Sequence, residues 1–157
     1  MATPPQKRSR SKGDKVALLL TGYAGAGKDA MAEGFMTDRG HGCRQYALAA
    51  PLKELGLQAV REVYGVEEGD DFFHKREGKE DEDDRFPDLA GRAWSRRWFL
   101  QWLGTDLCRR HLGPNVWVNA LVARVEADGC PDTVVVTDMR FPNEARILPR
   151  ALREMGY

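Results

Sequence analysis

A chain of 157 residues with 42% hydrophobic content supports one globular domain with a real core, and not two. Its 24 basic and 24 acidic residues cancel, so no net field favours nucleic acid or an anionic membrane as the main partner. No apolar stretch approaches the ~20 residues that span a bilayer, and no secretory leader is recognisable. Cys43, Cys108 and Cys130 are scattered without metal or disulfide spacing. Together these features lead to the expectation of a cytoplasmic protein with reduced thiols.

Residues 1–14 hold Pro4, Pro5 and the basic run Lys7 to Lys12 without apolar periodicity, and read as a disordered basic tail. Val16 to Leu20 is a continuous apolar run, the pattern of a strand buried on both faces of a parallel sheet. It leads into Gly22-Tyr23-Ala24-Gly25-Ala26-Gly27-Lys28-Asp29, where glycines and a lysine have phosphate-loop spacing. Glycines let backbone N–H groups turn toward phosphate oxygens, and the N-terminus of the following helix favours negative charge. Gly22, Ala24, Gly25, Ala26, Gly27, Lys28 and Asp29 are therefore the candidate nucleotide-binding residues. Asp29 stands where a metal-ligating Ser or Thr is usual.

The helix after the loop is expected from Asp29 to about Asp38, with Met31 and Phe35 one turn apart and Gly40 as its stop. Arg44 to Leu48 reads as a second strand. Pro51 opens a helix with Leu52, Leu55, Ala59, Val60 and Val63 on one side, which Gly65 ends. Glu67 to Asp88, with its acidic block Glu80 to Asp84, reads as irregular, and residues 67–94 as a mobile acidic insertion. Ser95 is placed to cap a helix with two apolar rows, Trp98 and Trp102 beside Phe99, Leu103 and Leu107, and the tryptophan row is expected in the core. Gly104 implies either a break in that helix or a close approach by another group. Asn115 caps a helix containing Val118, Leu121, Val122 and Val125. Thr133 to Thr137 is a β-branched strand, and the helix from Pro142 is expected to be disturbed at Pro149. The alternation is α/β throughout.

Asp138 ends the strand Val134 to Thr137, where a phosphate-loop protein places an acid beside magnesium, so Asp29 and Asp138 are the candidate metal residues. Arg140 follows, with a planar fork suited to phosphate. Of the adjacent Arg96 and Arg97, at most one can point toward an anion. Gln101, Thr105 and Asp106 add polar positions to the same helix.

In combination these segments resemble the deoxynucleoside monophosphate kinases of bacteriophages. The resemblance rests on the loop ending in Lys28-Asp29, on Ala50-Pro51-Leu52-Lys53, on Arg96-Arg97 through Gln101 to Asp106, on Trp117-Val118 and on Val136 to Glu144. It implies a three-layer sandwich of the P-loop type, and ATP-dependent phosphorylation of a deoxynucleoside monophosphate with Mg2+. The implied catalytic residues are Lys28, Asp138 and Arg140; the implied acceptor residues are Arg96, Arg97, Gln101, Thr105, Asp106 and Arg140. The family continues past the position of Tyr157 into a further strand and a basic lid, so the expected sheet lacks its C-terminal strand or strands. A catalytically silent ATP-binding module and a small-metabolite kinase are the alternatives. The homodimer question and the preferred base stay open, and membrane and nucleic acid are not expected partners.

Overall fold

The computed structural model describes residues 14–23, 25–39, 42–65, 67–75, 77–87 and 93–157. The expected tail over 1–14 lies almost wholly outside the described residues, as do Ala24 and Gly40. In chain order the elements are β1 (Val16–Thr21), α1 (Lys28–Arg39), β2 (Cys43–Tyr46), α2 (Ala50–Tyr64), β3 (Glu82–Pro87) and β4 (Ala93–Ser95). Next, α3 (Arg96–Gln101) runs through a π-helix (Trp102–Arg109) into the single turn α4 (Arg110–Leu112). The chain then forms α5 (Val116–Ala127), β5 (Thr133–Met139) and α6 (Pro142–Glu154).

The fold is α/β, with a parallel sheet in the order β1-β5-β2, compatible with a P-loop kinase-like architecture. Parallel strands require crossovers: α1 joins β1 to β2, which flank β5, and the segment from α2 to α5 joins β2 to its neighbour β5. The β-branched run of β5 suits the central place, and Thr133 to Thr137 are all buried. Val134 and Val136 join the main core with Leu121, Leu148 and Leu152, whereas the fully buried Val135 and Ala32 lie outside that cluster. Since strand residues alternate between faces, Val135 marks the side covered by α1. β1, expected to be buried on both faces, is instead half-buried from Val16 to Leu20, because among the described residues it pairs only with β5.

Local signals set some of the helix ends. Ser95 accepts the Trp98 N–H at 3.2 Å, and Gly65 closes α2 in the left-handed region at φ 66°. α6 continues through Pro149 without a break. Asn115 does precede α5, but its side chain makes no cap bond and accepts from Asn143 Nδ2 at 3.0 Å.

Other faces differ from their patterns. In α2 the buried side chains are Leu57 and Val60, and Leu55 and Val63 are exposed; in α1 Ala32 is buried and Met31 is exposed. The stretch expected to be irregular contains an antiparallel ribbon, β3 on β4. Phe72 and Phe73 leave that stretch for the core, where Phe73 stacks on Phe99 and Phe99 on Trp94. The C-terminal end is clasped to the start of β1. Lys15 donates to the Met155 carbonyl at 3.1 Å and lies over the Tyr157 ring, while the Tyr157 hydroxyl donates to Pro131 O at 2.6 Å.

Candidate functional site

The loop from Gly22 leaves the carboxyl end of β1. Gly22, Gly25 and Gly27 have φ of 146°, 79° and 75°, a region in which a side chain would strain the backbone. Lys28 opens α1, and its ammonium donates to the carbonyls of Gly22 and Tyr23 at 3.0 and 2.7 Å. The lysine thus lies over the loop itself. Ala26 donates its N–H to Tyr23 O, and Asp29 is exposed in the first turn of α1. Ala24, the remaining candidate of this set, is outside the described residues.

Beside this loop ends β5. Thr21 lies opposite Met139 in the ladder and donates its hydroxyl to the Met139 carbonyl at 3.0 Å, so loop and β5 terminus leave the same edge of the sheet. Asp138 lies at the start of α2: its Oδ1 accepts the Leu48 N–H at 2.6 Å and its Oδ2 the Ala49 N–H at 2.9 Å. Ala49 makes no side-chain cap to α2, and the Asp138 carboxylate instead fixes the two residues that lead into the helix and lies near its positive end. Each oxygen keeps a second lone pair.

Arg140 and Phe141 are set by a residue to which the sequence reading assigns no role. Glu144, 2% exposed, accepts the backbone N–H of Arg140 at 2.7 Å and of Phe141 at 3.0 Å through Oε2. Its Oε1 accepts from Arg109 at 2.6 Å, and that guanidinium covers the Phe141 ring. A Glu at the third position of a helix that opens with Pro was the available signal. The turn that presents Arg140 is therefore tied to the far end of the π-helix.

The two adjacent arginines diverge as their spacing requires. Arg96 is buried, donating to the carbonyls of Phe72 and Glu77. Arg97 is exposed; its guanidinium pairs with Glu80 and its backbone N–H donates to Lys79 O at 3.1 Å. That bond fixes Lys79 at the head of α3.

Lys79 belongs to a cationic group that the sequence reading missed. Burial, then repulsion by Arg97 and Arg140, draws its ammonium below the usual lysine range. Lys53, in the first turns of α2, is lowered by burial and then by Lys79, with Asp138 attracting it and Arg140 repelling it. The Lys53 ammonium also lies 3.3 Å from Nδ1 of His74, whose own pKa is lowered chiefly by burial and next by Lys53. An Nδ1 lone pair there can accept a hydrogen bond from the ammonium. Lys53, Lys79 and Arg140 are thus near enough to repel one another. A cavity of 480 Å³ beside Arg96 is lined by Glu68, Asp81, Glu82 and Asp83 together with Lys75, Arg85 and Arg96, so its walls carry charges of both signs.

Gln101, Thr105 and Asp106 share an exposed side of α3 and the π-helix with Trp98 and Trp102. The tryptophans were expected in the core and are 45% and 39% exposed, stacked on each other at 6.3 Å. Phe99 and Leu103 occupy the inner side, and one helix cannot bury both rows against a single neighbour. No break occurs at Gly104: the close approach is the correct alternative. A Cβ there would lie 2.7 Å from Leu52 Cδ2, and the Gly104 carbonyl accepts the Trp117 indole N–H at 3.1 Å.

Among the described residues no group of three or more His, Cys, Asp or Glu side chains could hold a metal ion. The candidate metal residues Asp29 and Asp138 are two carboxylates, and magnesium on a phosphate commonly needs only one or two, with water and substrate completing the shell. No helix is long and apolar enough to cross a membrane among the described residues.

No protein-family model matches the chain. The chain is similar to the deoxynucleoside-5'-monophosphate kinase of Escherichia phage T5, with 28% identity over 185 aligned positions that cover 85% of this chain and 71% of that protein. This is a distant relationship to a nucleotide kinase, and it supports a nucleotide kinase-like, phosphotransferase function.

Proposed function

We propose that the protein is an ATP-dependent kinase of deoxynucleoside monophosphates, forming the diphosphate and ADP. The observation that carries this reading is the juxtaposition at one sheet edge of the Gly22 to Lys28 loop with Asp138 and Arg140, through the Thr21 and Met139 pairing of β1 with β5. Ligands of open parallel sheets bind at such an edge. The kinase relative supports the same class of reaction.

In this reading the loop backbone cradles the donor phosphates, and Lys28 exchanges its bonds with Gly22 and Tyr23 for phosphate oxygens. Asp29 and Asp138 would hold Mg2+, which when bound neutralises charge on the phosphates. Because both Asp138 oxygens already accept backbone N–H groups, this carboxylate acts best through metal-bound water. Arg140 faces the transferred group, its backbone held by Glu144. Gln101, Thr105 and Asp106 face the acceptor from the exposed side of the helix, and Arg97 is freer than the buried Arg96 to join them. A monophosphate oxygen is an anionic nucleophile, so positioning and charge neutralisation suffice without a general base.

Assay of ADP release with ATP, Mg2+ and each of the four deoxynucleoside monophosphates tests the reading. Turnover is expected with at least one acceptor, and Lys28→Ala is expected to lower it about a hundredfold or more. Absence of turnover above the Lys28→Ala background rejects the enzymatic reading.

A further inference from the structure

We propose that the outward face of α6, together with the basic run Lys7 to Lys12 that leads into β1, binds the phosphate backbone of nucleic acid. Arg146, Arg150 and Arg153 are all exposed. Their spacing places them within about 60° of one another around the helix axis and spreads them over about 10 Å of its length. Among the described residues Arg146 and Arg153 form no ion pair, and Arg150 has only Glu154, at 3.2 Å with both side chains largely in water. A pair so exposed holds its arginine weakly. The field at a helix C-terminus accounts for Arg153 in the last turn but not for Arg146, which lies toward the positive end.

The end of α6 joins this stripe to a second basic segment. Lys15 donates to the Met155 carbonyl at 3.1 Å, and Lys7, Arg8, Arg10 and Lys12 precede it in a stretch, residues 1–13, that contains no acidic residue. Connectivity alone roots that run beside the carboxyl end of α6. Asp14, Asp132 and Glu154 lie at this end too, and offset only part of the charge. The acidic block Glu80 to Asp84 is elsewhere: it leads into the β3 and β4 ribbon, which packs on α2 and α3, whereas α6 packs on α5 and β1. A chain with no net charge thus carries a segregated basic face.

The chemistry of that face selects nucleic acid over a membrane. Leu148 and Leu152 of α6 are buried in the core, so the helix has no apolar side left to enter a bilayer. Guanidinium forks suit phosphate oxygens, and duplex DNA offers one negative charge per about 1.7 Å of its axis, so the stripe meets several. α6 contains no aromatic residue to stack on a base, and contacts to the backbone alone carry no sequence preference. α6 follows β5 from the edge of the Lys28 loop and runs away from it to the start of β1, so nucleic acid held along it does not occupy the loop.

Fluorescence anisotropy of a labelled DNA duplex titrated with the full chain tests the assignment at salt concentrations from about 50 to 200 mM. Binding is expected to weaken about a hundredfold to a thousandfold across that range, as release of counterions from about four to six phosphates requires. A triple variant carrying Arg146→Gln, Arg150→Gln and Arg153→Gln is expected to lose about tenfold or more at the lower salt and to flatten the salt dependence. The charge-keeping triple to lysine is expected to stay within about threefold of the parent, and Arg146→Gln alone, which spares the last turn, to lose about threefold with unchanged melting by circular dichroism. No binding at about 50 mM salt overturns the proposal. So does binding that survives the glutamine triple but vanishes in the variant Lys7→Gln, Arg8→Gln, Arg10→Gln, Lys12→Gln, which would assign it to the basic run alone. Equal arginine-dependent binding to phosphatidylserine vesicles also overturns it, because the face would then be a membrane site. The assay needs no nucleotide, so its outcome is independent of the kinase reading.

Discussion

Glu144 shows how a single buried carboxylate can order a site that it does not enter. It neutralises Arg109 and accepts the N–H groups of Arg140 and Phe141, so its removal strands a cation that is only 14% exposed together with two backbone donors. Breaking a buried pair from one side costs about 3–5 kcal/mol, and Glu144→Ala is expected to lower urea stability by that amount. A loss below about 1 kcal/mol would mean that water replaces the carboxylate. At this scale the sequence discloses residues whose place follows from local spacing. Lys28 opens α1 after its glycines, and Asp138 lies near the end of β5. Lys79 was hidden because its neighbours Glu77 and Glu80 make it read as part of a solvated charged stretch, and only the bond from Arg97 fixes its backbone at the head of α3. Arg96 was ambiguous for a related reason: which of two adjacent side chains turns inward depends on where Phe72 and Glu77 offer carbonyls.

Among the elements, the segment from Arg96 to Leu112 departs furthest from its pattern. Both apolar rows have helical spacing, and periodicity cannot say which of two adjacent rows faces α2. Packing decides it, since Leu52 approaches Gly104 and Phe73 stacks on Phe99, leaving Trp98 and Trp102 outside. The measurable consequence is a contrast within one helix. Phe99→Ala is expected to cost about 3–5 kcal/mol, as for other buried aromatic truncations, and Trp98→Gln less than about 1 kcal/mol. Denaturant melts of the two variants test it, and equal losses would refute the assignment of faces. The π-helix was not legible at all, because widening a helical turn is a response to tertiary contacts. Here the Gly104 carbonyl gains the Trp117 indole as its partner, a residue 13 positions away along the chain.

For the whole molecule the alternation of strands and helices was sufficient to read a parallel α/β fold, because chain connectivity and handedness leave few other arrangements. The order β1-β5-β2 was not contained in any single segment. The half-buried state of β1 follows from that order, and an apolar run alone cannot distinguish a strand with one neighbour from a strand with two. The clasp between Lys15, Met155 and Tyr157 carries a different kind of consequence: it makes the described fold nearly a closed ring. Tyr157 can be joined to Lys15 by a short Gly-Ser linker and the chain reopened at Gly129, an exposed turn residue with φ 78°. Such a circular permutant is expected to melt cooperatively within about 10 °C of the parent containing residues 14–157, as followed by circular dichroism. Loss of cooperative melting would show that the connection from α5 to β5 must be continuous for the sheet to form. Cooperative melting would mean that the order of neighbours in space, more than the order of synthesis, specifies this architecture.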